Sequence, residues 1–209
     1  MEQRPASTTS YAEKKKKKEG QKEMLYKPAQ RKKLFRRLFW RGILFVVLVL
    51  IVYSIYAGIK SRIPQGEDLS VAVPVMGADH ISVGSYEGTY NSNPPTSGPH
   101  YEQTARSGFR EDTITDGHLI HNLEHGDIWV SYHPRIKEDA KMALKKFAGL
   151  KVVITPREEN DTDIALAAWG RLDSFNLENG VVPEQRIRDF INRYINHGPE
   201  RVTGASGGI

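Results

Sequence analysis

The sequence predicts an α+β protein in which one N-terminal transmembrane helix precedes a small mixed sheet packed with two or three helices. Residues 42–59 form an uncharged run of 18 residues, which matches the ~30 Å hydrocarbon core of a bilayer closely enough for one helix to cross it. Beyond residue 76, short apolar segments typical of strands alternate with segments whose apolar residues have helical spacing. The resulting order, β-α-β-β-α, favours helices layered on a sheet.

The distribution of charge predicts the orientation of the chain. Residues 1–41 contain 14 Lys and Arg against 4 Asp and Glu, a net charge of +10, whereas the rest of the chain carries −5. Positive segments stay on the cytoplasmic side, so we expect a basic cytoplasmic tail at 1–41 and a transmembrane helix at 42–60. A cleaved signal peptide is the alternative, but its apolar region is typically ~7–15 residues, shorter than this run.

The remainder of the chain is expected outside the cytoplasm, in the periplasm or at the cell surface. We predict a polar linker at 61–76, an α+β domain at 77–200 and a disordered tail at 201–209. Strands are predicted at 71–75 (as an edge strand or extended segment), 127–133, 151–155 and 164–169, and helices at 134–148 and from Pro183 to about residue 197.

Composition excludes several classes of function. The chain has no cysteine, so disulfides, thiolate metal sites and thiol nucleophiles are impossible. It contains no phosphate-binding loop and no G-x-G-x-x-G motif, and neither Ser97 nor Ser107 lies in a nucleophile elbow. The acidic outer part argues against nucleic acid as a partner. We therefore expect the lipid bilayer as the first partner, with an envelope protein or a second copy of the chain as a further one.

The histidines are the strongest chemical signal. His121 and His125 are spaced i, i+4, so that their rings share one face of a helical turn and can bind one ion. Gly126 follows directly and would let the chain reverse into the next strand. His100 ends a proline-rich loop whose rigidity lowers the entropic cost of ordering a ligand.

Two alternatives remain open for this histidine-rich segment. The first is a metal-free polar network that holds loops together. The second is a zinc-dependent hydrolase, because residues 121–125 fit H-x-x-E-H, with Glu124 as the general base. That motif belongs on a long core helix, whereas here a glycine and a strand follow at once.

Three strings resemble one known family. YNSNPPTSGPHY at 90–101, HNLEHGDIWVSYHP at 121–134 and AAWGR at 167–171 are similar, in that order, to the bacterial and archaeal domain of unknown function 3105. The resemblance covers about residues 77–200, and it agrees with a membrane anchor preceding the domain. It implies that four histidines belong together, with Glu124 and Asn122 as additional or supporting groups: His80, His100, His121 and His125.

We therefore predict a membrane-anchored extracytoplasmic protein that binds a transition metal, copper or zinc, through these four histidines. Imidazole ligands without thiolates suit such ions, and a filled site would serve metal handling or structure. No catalytic residue is assigned outside the hydrolase alternative. The competing hypothesis is a metal-free envelope interaction or structural module. Metal binding requires the ring nitrogens to converge within about 4–5 Å, since imidazole binds these ions at ~2.0–2.1 Å.

Overall fold

The structure is a computed structural model that describes residues 8–204 and 206–209. It divides into two units, Met1–Lys60 and Ser61–Ile209. Residues 1–7 of the predicted basic tail, and Ala205 of the predicted C-terminal tail, lie outside the described residues.

The first unit is one helix, α1 (Thr8–Lys60), which begins well before the apolar run. Within it, the segment Lys32–Lys60 is long and apolar enough to cross a membrane, and it is the one helix of the described residues that meets this criterion. Its apolar window is not buried, unlike the core helix of a soluble protein. A signal sequence near the N-terminus can meet the same criterion.

The second unit contains a six-stranded mixed sheet, which together with its helices confirms the predicted α+β class. The strand order is β1-β8-β7-β5-β6-β4, with β4, β5 and β6 parallel to one another and the other neighbours antiparallel. The strands are β1 (Val71–Ala72), β4 (Gly108–Phe109), β5 (Ile128–Tyr132), β6 (Val152–Pro156), β7 (Ile164–Ala168) and β8 (Arg171–Phe175).

Three helices accompany the sheet: α2 (Asp116–Glu124), α3 (Glu138–Lys145) and α4 (Glu184–Tyr194). The predicted strands in the second half of the chain and the last helix are confirmed. The helix predicted at 134–148 is shorter, because Ile136 donates its N–H to the His133 carbonyl in a turn before α3 begins.

Strand β8 is not predicted by the sequence pattern. This strand follows Gly170, whose φ of +67° closes the turn after β7. The strand lacks the apolar pattern of a core strand because its buried position 173 is an aspartate. The Asp173 carboxylate accepts two hydrogen bonds from Arg186 of α4, at 2.9 and 2.6 Å. A charged residue thus occupies a core position because its partner comes from another element.

The sheet is covered on both faces, so β5 is buried at all five positions. One face of β5 packs into a cluster with Leu144 of α3 and with Ile187 and Phe190 of α4. The opposite face carries Trp129, which packs with Leu119 and Leu123 of α2. Burial of each large apolar side chain contributes roughly 1.5–3 kcal/mol, so α2 is fixed to the sheet by apolar packing.

A second, two-stranded sheet lies on the α2 side of the domain. Its strands are β2 (His80–Ile81) and β3 (His100–Tyr101), which are parallel, with His80 and His100 as register partners. Two residues are too few to produce a periodic pattern, so the sequence contains no signal for this pairing.

The C-terminal tail, expected to be disordered, packs against the domain. The Ile209 N–H donates to the Thr104 carbonyl at 3.0 Å, and its carbonyl accepts the Arg106 N–H at 2.8 Å. A Cβ added at Gly208 would lie 1.5 Å from the Thr104 oxygen, so the small residues of this tail permit close backbone approach.

Part of the predicted linker is also hydrogen-bonded to the domain. The backbone N–H groups of Gln65 and Gly66 donate to the buried Asp189 carboxylate of α4, both at 2.8 Å. Burial alone would raise the pKa of Asp189, but these two bonds, the Gln185 side chain and Arg193 outweigh it and lower the pKa below its ordinary value of 3.8.

Asp189→Asn should therefore lower the free energy of unfolding by about 1–3 kcal/mol near neutral pH, because the amide has one acceptor oxygen where the carboxylate has two. The folded pKa is depressed, so this contribution is present above the ordinary pKa of 3.8 and is lost as the pH falls below it. Urea titrations of the full chain in detergent, followed by tryptophan fluorescence, measure the difference. Asp139→Asn, at an exposed position, is the control. Equal effects of the two variants would contradict a stabilising role for the bonds from Gln65 and Gly66 to Asp189.

Candidate metal centre

Helix α2 presents the central part of the site. Its last turn carries His121 and Glu124, and His125 is its C-cap residue. Gly126 has a φ of +78°, and its N–H donates to the Leu123 carbonyl at 2.9 Å. The next N–H donates to the Asn122 carbonyl, which completes a Schellman motif and confirms the predicted chain reversal.

The proline-rich loop delivers His100 to the same place. Gly98 has a φ of +124°, and a Cβ there would lie 3.1 Å from the Tyr90 ring, so the position requires glycine. The Gly98 N–H donates to the Gly77 carbonyl, and the His100 N–H donates to the Asp79 carbonyl. These bonds extend the β2–β3 pairing and set residue 80 beside residue 100.

Three of the four predicted histidines converge on Glu124. The ligand atoms of His80, His100, His121 and Glu124 all lie within 4.8 Å of one another. The three imidazole rings have centroid separations of 4.8 to 5.0 Å. Donor atoms arranged tetrahedrally around an ion at about 2.1 Å would be roughly 3.4 Å apart, so small ring movements would close the set.

The contact between His100 and Glu124 is the most informative in the cluster. The His100 side chain is fully buried, and its Nδ1 lies 2.8 Å from the Gly98 carbonyl, which can only accept. Nδ1 therefore carries the proton, and Nε2 lies 2.9 Å from the Glu124 Oε2 atom. Since neutral Nε2 and a carboxylate both offer lone pairs, a proton or a metal ion must lie between them. A carbonyl that binds one ring nitrogen while the other faces the ion is the usual arrangement of a metal-binding histidine.

His121 is held in its neutral form. Burial, followed in size by the effects of His125, His100 and His80, lowers its pKa to about 4, although a hydrogen bond to the Tyr101 backbone acts in the opposite direction. The ring is therefore neutral near pH 7 and can offer a lone pair to a metal. Its Nδ1 atom is buried and has no hydrogen-bond partner among the described residues.

His125 is not part of this group. Its ring lies 4.4 Å from that of His121, but its Nε2 atom lies 3.1 Å from the Glu200 carboxylate. The ligand atoms of His121, His125 and Glu200 form a second candidate group, again within 4.8 Å of one another. Glu200 was not among the predicted site residues, because a carboxylate 75 positions from His125 in a polar segment gives no local signal.

Asn122 and two further histidines, His118 and His133, make contacts that are structural. Asn122, expected to support the site, clamps the Ala105 backbone through both ends of its amide and donates to Asp127. His118 lies 2.6 Å from the Gln103 carbonyl, and His133 accepts the Arg135 N–H. For the hydrolase alternative, Glu124 would have to be free as a base, whereas its carboxylate faces His100.

Arg157 fixes the loop carrying His100 relative to α2. Its buried guanidinium donates two bonds to the Asp116 carboxylate, at 3.0 and 2.8 Å, at the start of α2. It also donates to Asn93 in the proline-rich loop and to Asn160. One planar cation thus joins the loop that carries His100 to the helix that carries His121 and Glu124.

Arg157→Lys should destabilise the domain by about 2–4 kcal/mol, because an ammonium cannot reproduce the bidentate bonds and leaves buried acceptors unpaired. Arg110→Lys is a matched control, since Arg110 makes the same two-bond contact with Asp112 at the surface, where such pairs contribute about 0–1 kcal/mol. Thermal unfolding of both full-length variants measures the contrast. Equal shifts in Tm would mean that Arg157 is no more than a surface ion pair.

Comparison with known proteins places the site within a family. The family model described as "Protein of unknown function (DUF3105)" matches residues 84–207, which include His100, His121, Glu124 and His125 and begin four positions after His80. No curated protein and no solved structure matches the chain. Because the matched region covers more than half of the chain and nearly all of the sheet, this protein belongs to the DUF3105 family.

Proposed function

We propose that this protein is a membrane-anchored, extracytoplasmic metal-binding protein whose ion is held by His80, His100, His121 and Glu124. The observation that carries the proposal is the buried contact of the His100 Nε2 atom with the Glu124 carboxylate at 2.9 Å, with the other ring nitrogen already bound to a carbonyl. Two electron-pair donors are held together there, and a divalent cation would bind both.

The chemistry of the donors indicates the class of ion. Three imidazoles and one carboxylate suit Zn²⁺ or Cu²⁺ and lack the thiolates that select Cu⁺. Four protein ligands fill a tetrahedral site, which favours metal handling or a structural role over catalysis. His80 is the exposed member of the group, with 45% of its side chain accessible.

The metal-free alternative predicts different hydrogen bonding for the same residues. A network stabilised by hydrogen bonds alone should satisfy its buried polar atoms. Among the described residues, the buried Nδ1 atom of His121 has no such partner. This unpaired nitrogen favours a bound cation over a network of hydrogen bonds alone.

The full chain, purified in detergent and loaded with Zn²⁺, should contain one ion per chain by elemental analysis. His121→Ala and Glu124→Gln should each weaken binding by at least about 10–100-fold, because each removes a direct ligand, and losing even a supporting group has that effect. Competition with a chromogenic chelator measures the affinity.

His133→Ala is the matched control for these variants, because His133 lies outside both candidate groups. It should retain the affinity of the native chain. Stoichiometric metal that is absent from the native chain after reconstitution, or retained equally by all variants, would contradict the proposed site.

The membrane location is part of the proposal, and it rests on the apolar segment Lys32–Lys60 and the +10 charge of the residues before the apolar run. The basic tail would remain in the cytoplasm, and the segment would stay attached as an anchor. The metal site would then face the periplasm or the cell exterior.

The absence of cysteine makes this orientation directly measurable. A membrane-impermeant maleimide added to intact cells should label Met142→Cys, on the exposed side of α3, and should label Lys16→Cys only after permeabilisation. Both variants should run at the 23.6 kDa mass of the uncleaved chain. Labelling of Lys16→Cys in intact cells would reverse the topology, and a shorter product would indicate a cleaved signal sequence.

A further inference from the structure

We propose that His121, His125 and Glu200 form a second, outer metal position, through which the ion passes between solvent and the inner ligands His80, His100 and Glu124. This proposal rests on the inner site proposed above and adds a route for exchange. The two groups have His121 in common, and in each of them all ligand atoms lie within 4.8 Å of one another.

Because His121 belongs to both groups, the inner and outer positions cannot be filled independently. A neutral imidazole has one nitrogen with a free lone pair, because the other carries the proton. His121 therefore serves one ion at a time, and the inner and outer positions are alternatives. Its ring lies 4.8 and 5.0 Å from those of His80 and His100 and 4.4 Å from that of His125, so it contacts both sets without moving far.

The outer position is built by the backbone. The Glu200 N–H donates to the Glu124 carbonyl at 3.1 Å, and the Asn196 N–H donates to the Gly126 carbonyl at 2.7 Å. Between them, a Cβ added at Gly198 would lie 2.0 Å from the Glu124 carbonyl oxygen, so the chain approaches α2 as closely as glycine allows. This pairing sets the Glu200 carboxylate 3.1 Å from the His125 ring.

Exposure and charge together indicate where the ion enters. The Glu200 carboxylate brings a negative charge to the surface, with 54% of its side chain accessible, whereas the exposed member of the inner group, His80 at 45%, is an imidazole. An acidic side chain at the surface attracts a hydrated cation, and imidazoles further inside replace its water molecules. The inner group has four ligands and the outer has three, so the ion rests at the inner position.

The test uses the full chain in detergent with Zn²⁺ alone. In a background of His80→Ala with Glu124→Gln, which removes two inner ligands, weaker Zn²⁺ binding should remain because the outer ligands are intact. Adding Glu200→Gln to that background should reduce the residual affinity by at least about tenfold. Adding Glu158→Gln, which removes the same charge at an exposed position of the same domain, should have no effect.

Kinetics test the route in a chain with all inner ligands intact. Glu200→Gln alone should slow Zn²⁺ uptake and chelator-driven release by the same factor and leave Kd unchanged, because it destabilises an intermediate and not the resting site. Glu158→Gln should leave both rates as they are. Circular dichroism confirms that each variant is folded.

The outcomes separate the two proposals. A native chain that binds no Zn²⁺ overturns the proposed function. If the native chain binds one ion but the His80→Ala, Glu124→Gln double variant binds none, only the outer position is overturned. The same holds if the double variant keeps residual binding that Glu200→Gln does not weaken. Unchanged rates in Glu200→Gln overturn the exchange route.

Discussion

Two buried groups, the His100 imidazole and the Glu124 carboxylate, meet at 2.9 Å where the proline-rich loop crosses the end of α2. Neither group tolerates burial without a partner, since a charge or an unpaired polar atom in the interior costs several kcal/mol. The fold supplies a partner by bringing together two segments separated by more than twenty residues. A shared proton would satisfy the contact, and so would a metal ion bound together with His80 and His121.

The rest of the domain holds these two segments in place. Apolar packing of α2 against Trp129 fixes the helix on the sheet, and the Arg157 guanidinium ties the start of α2 to the loop. Glycine at position 98 lets the loop turn so that its carbonyl orients the His100 ring. These contacts lower the entropic cost of bringing together candidate ligands from a strand, a loop and a helix. The site therefore depends on the sheet, although no residue of the six-stranded sheet is a candidate ligand.

Some features of the site were accessible from local sequence. The i, i+4 spacing of His121 and His125 and the glycine after them predict a short helical end with two imidazoles on one side, and the structure has this geometry. The same spacing does not show that His125 lies outside the cluster that His121 forms with His80, His100 and Glu124. His125 turns to Glu200 because the segment 196–200 pairs with the end of α2, and that pairing is a long-range backbone contact. Likewise, strand β8 could not be predicted from the alternation of apolar and polar residues. Its buried Asp173 is paired with an arginine from α4, and that partner is distant in the sequence.

The sequence by itself determined the apolar helix, the α+β class, the main strands and the histidines of interest, because these follow from hydrophobic periodicity, charge distribution and residue chemistry along the chain. Only the tertiary structure decided which of those histidines share a group, that Glu124 and Glu200 join them, and that Asn122 supports the backbone instead. The physical reason is that ligand geometry is set by through-space contacts between distant segments. Local patterns specify which face a side chain occupies, and packing specifies what it meets there.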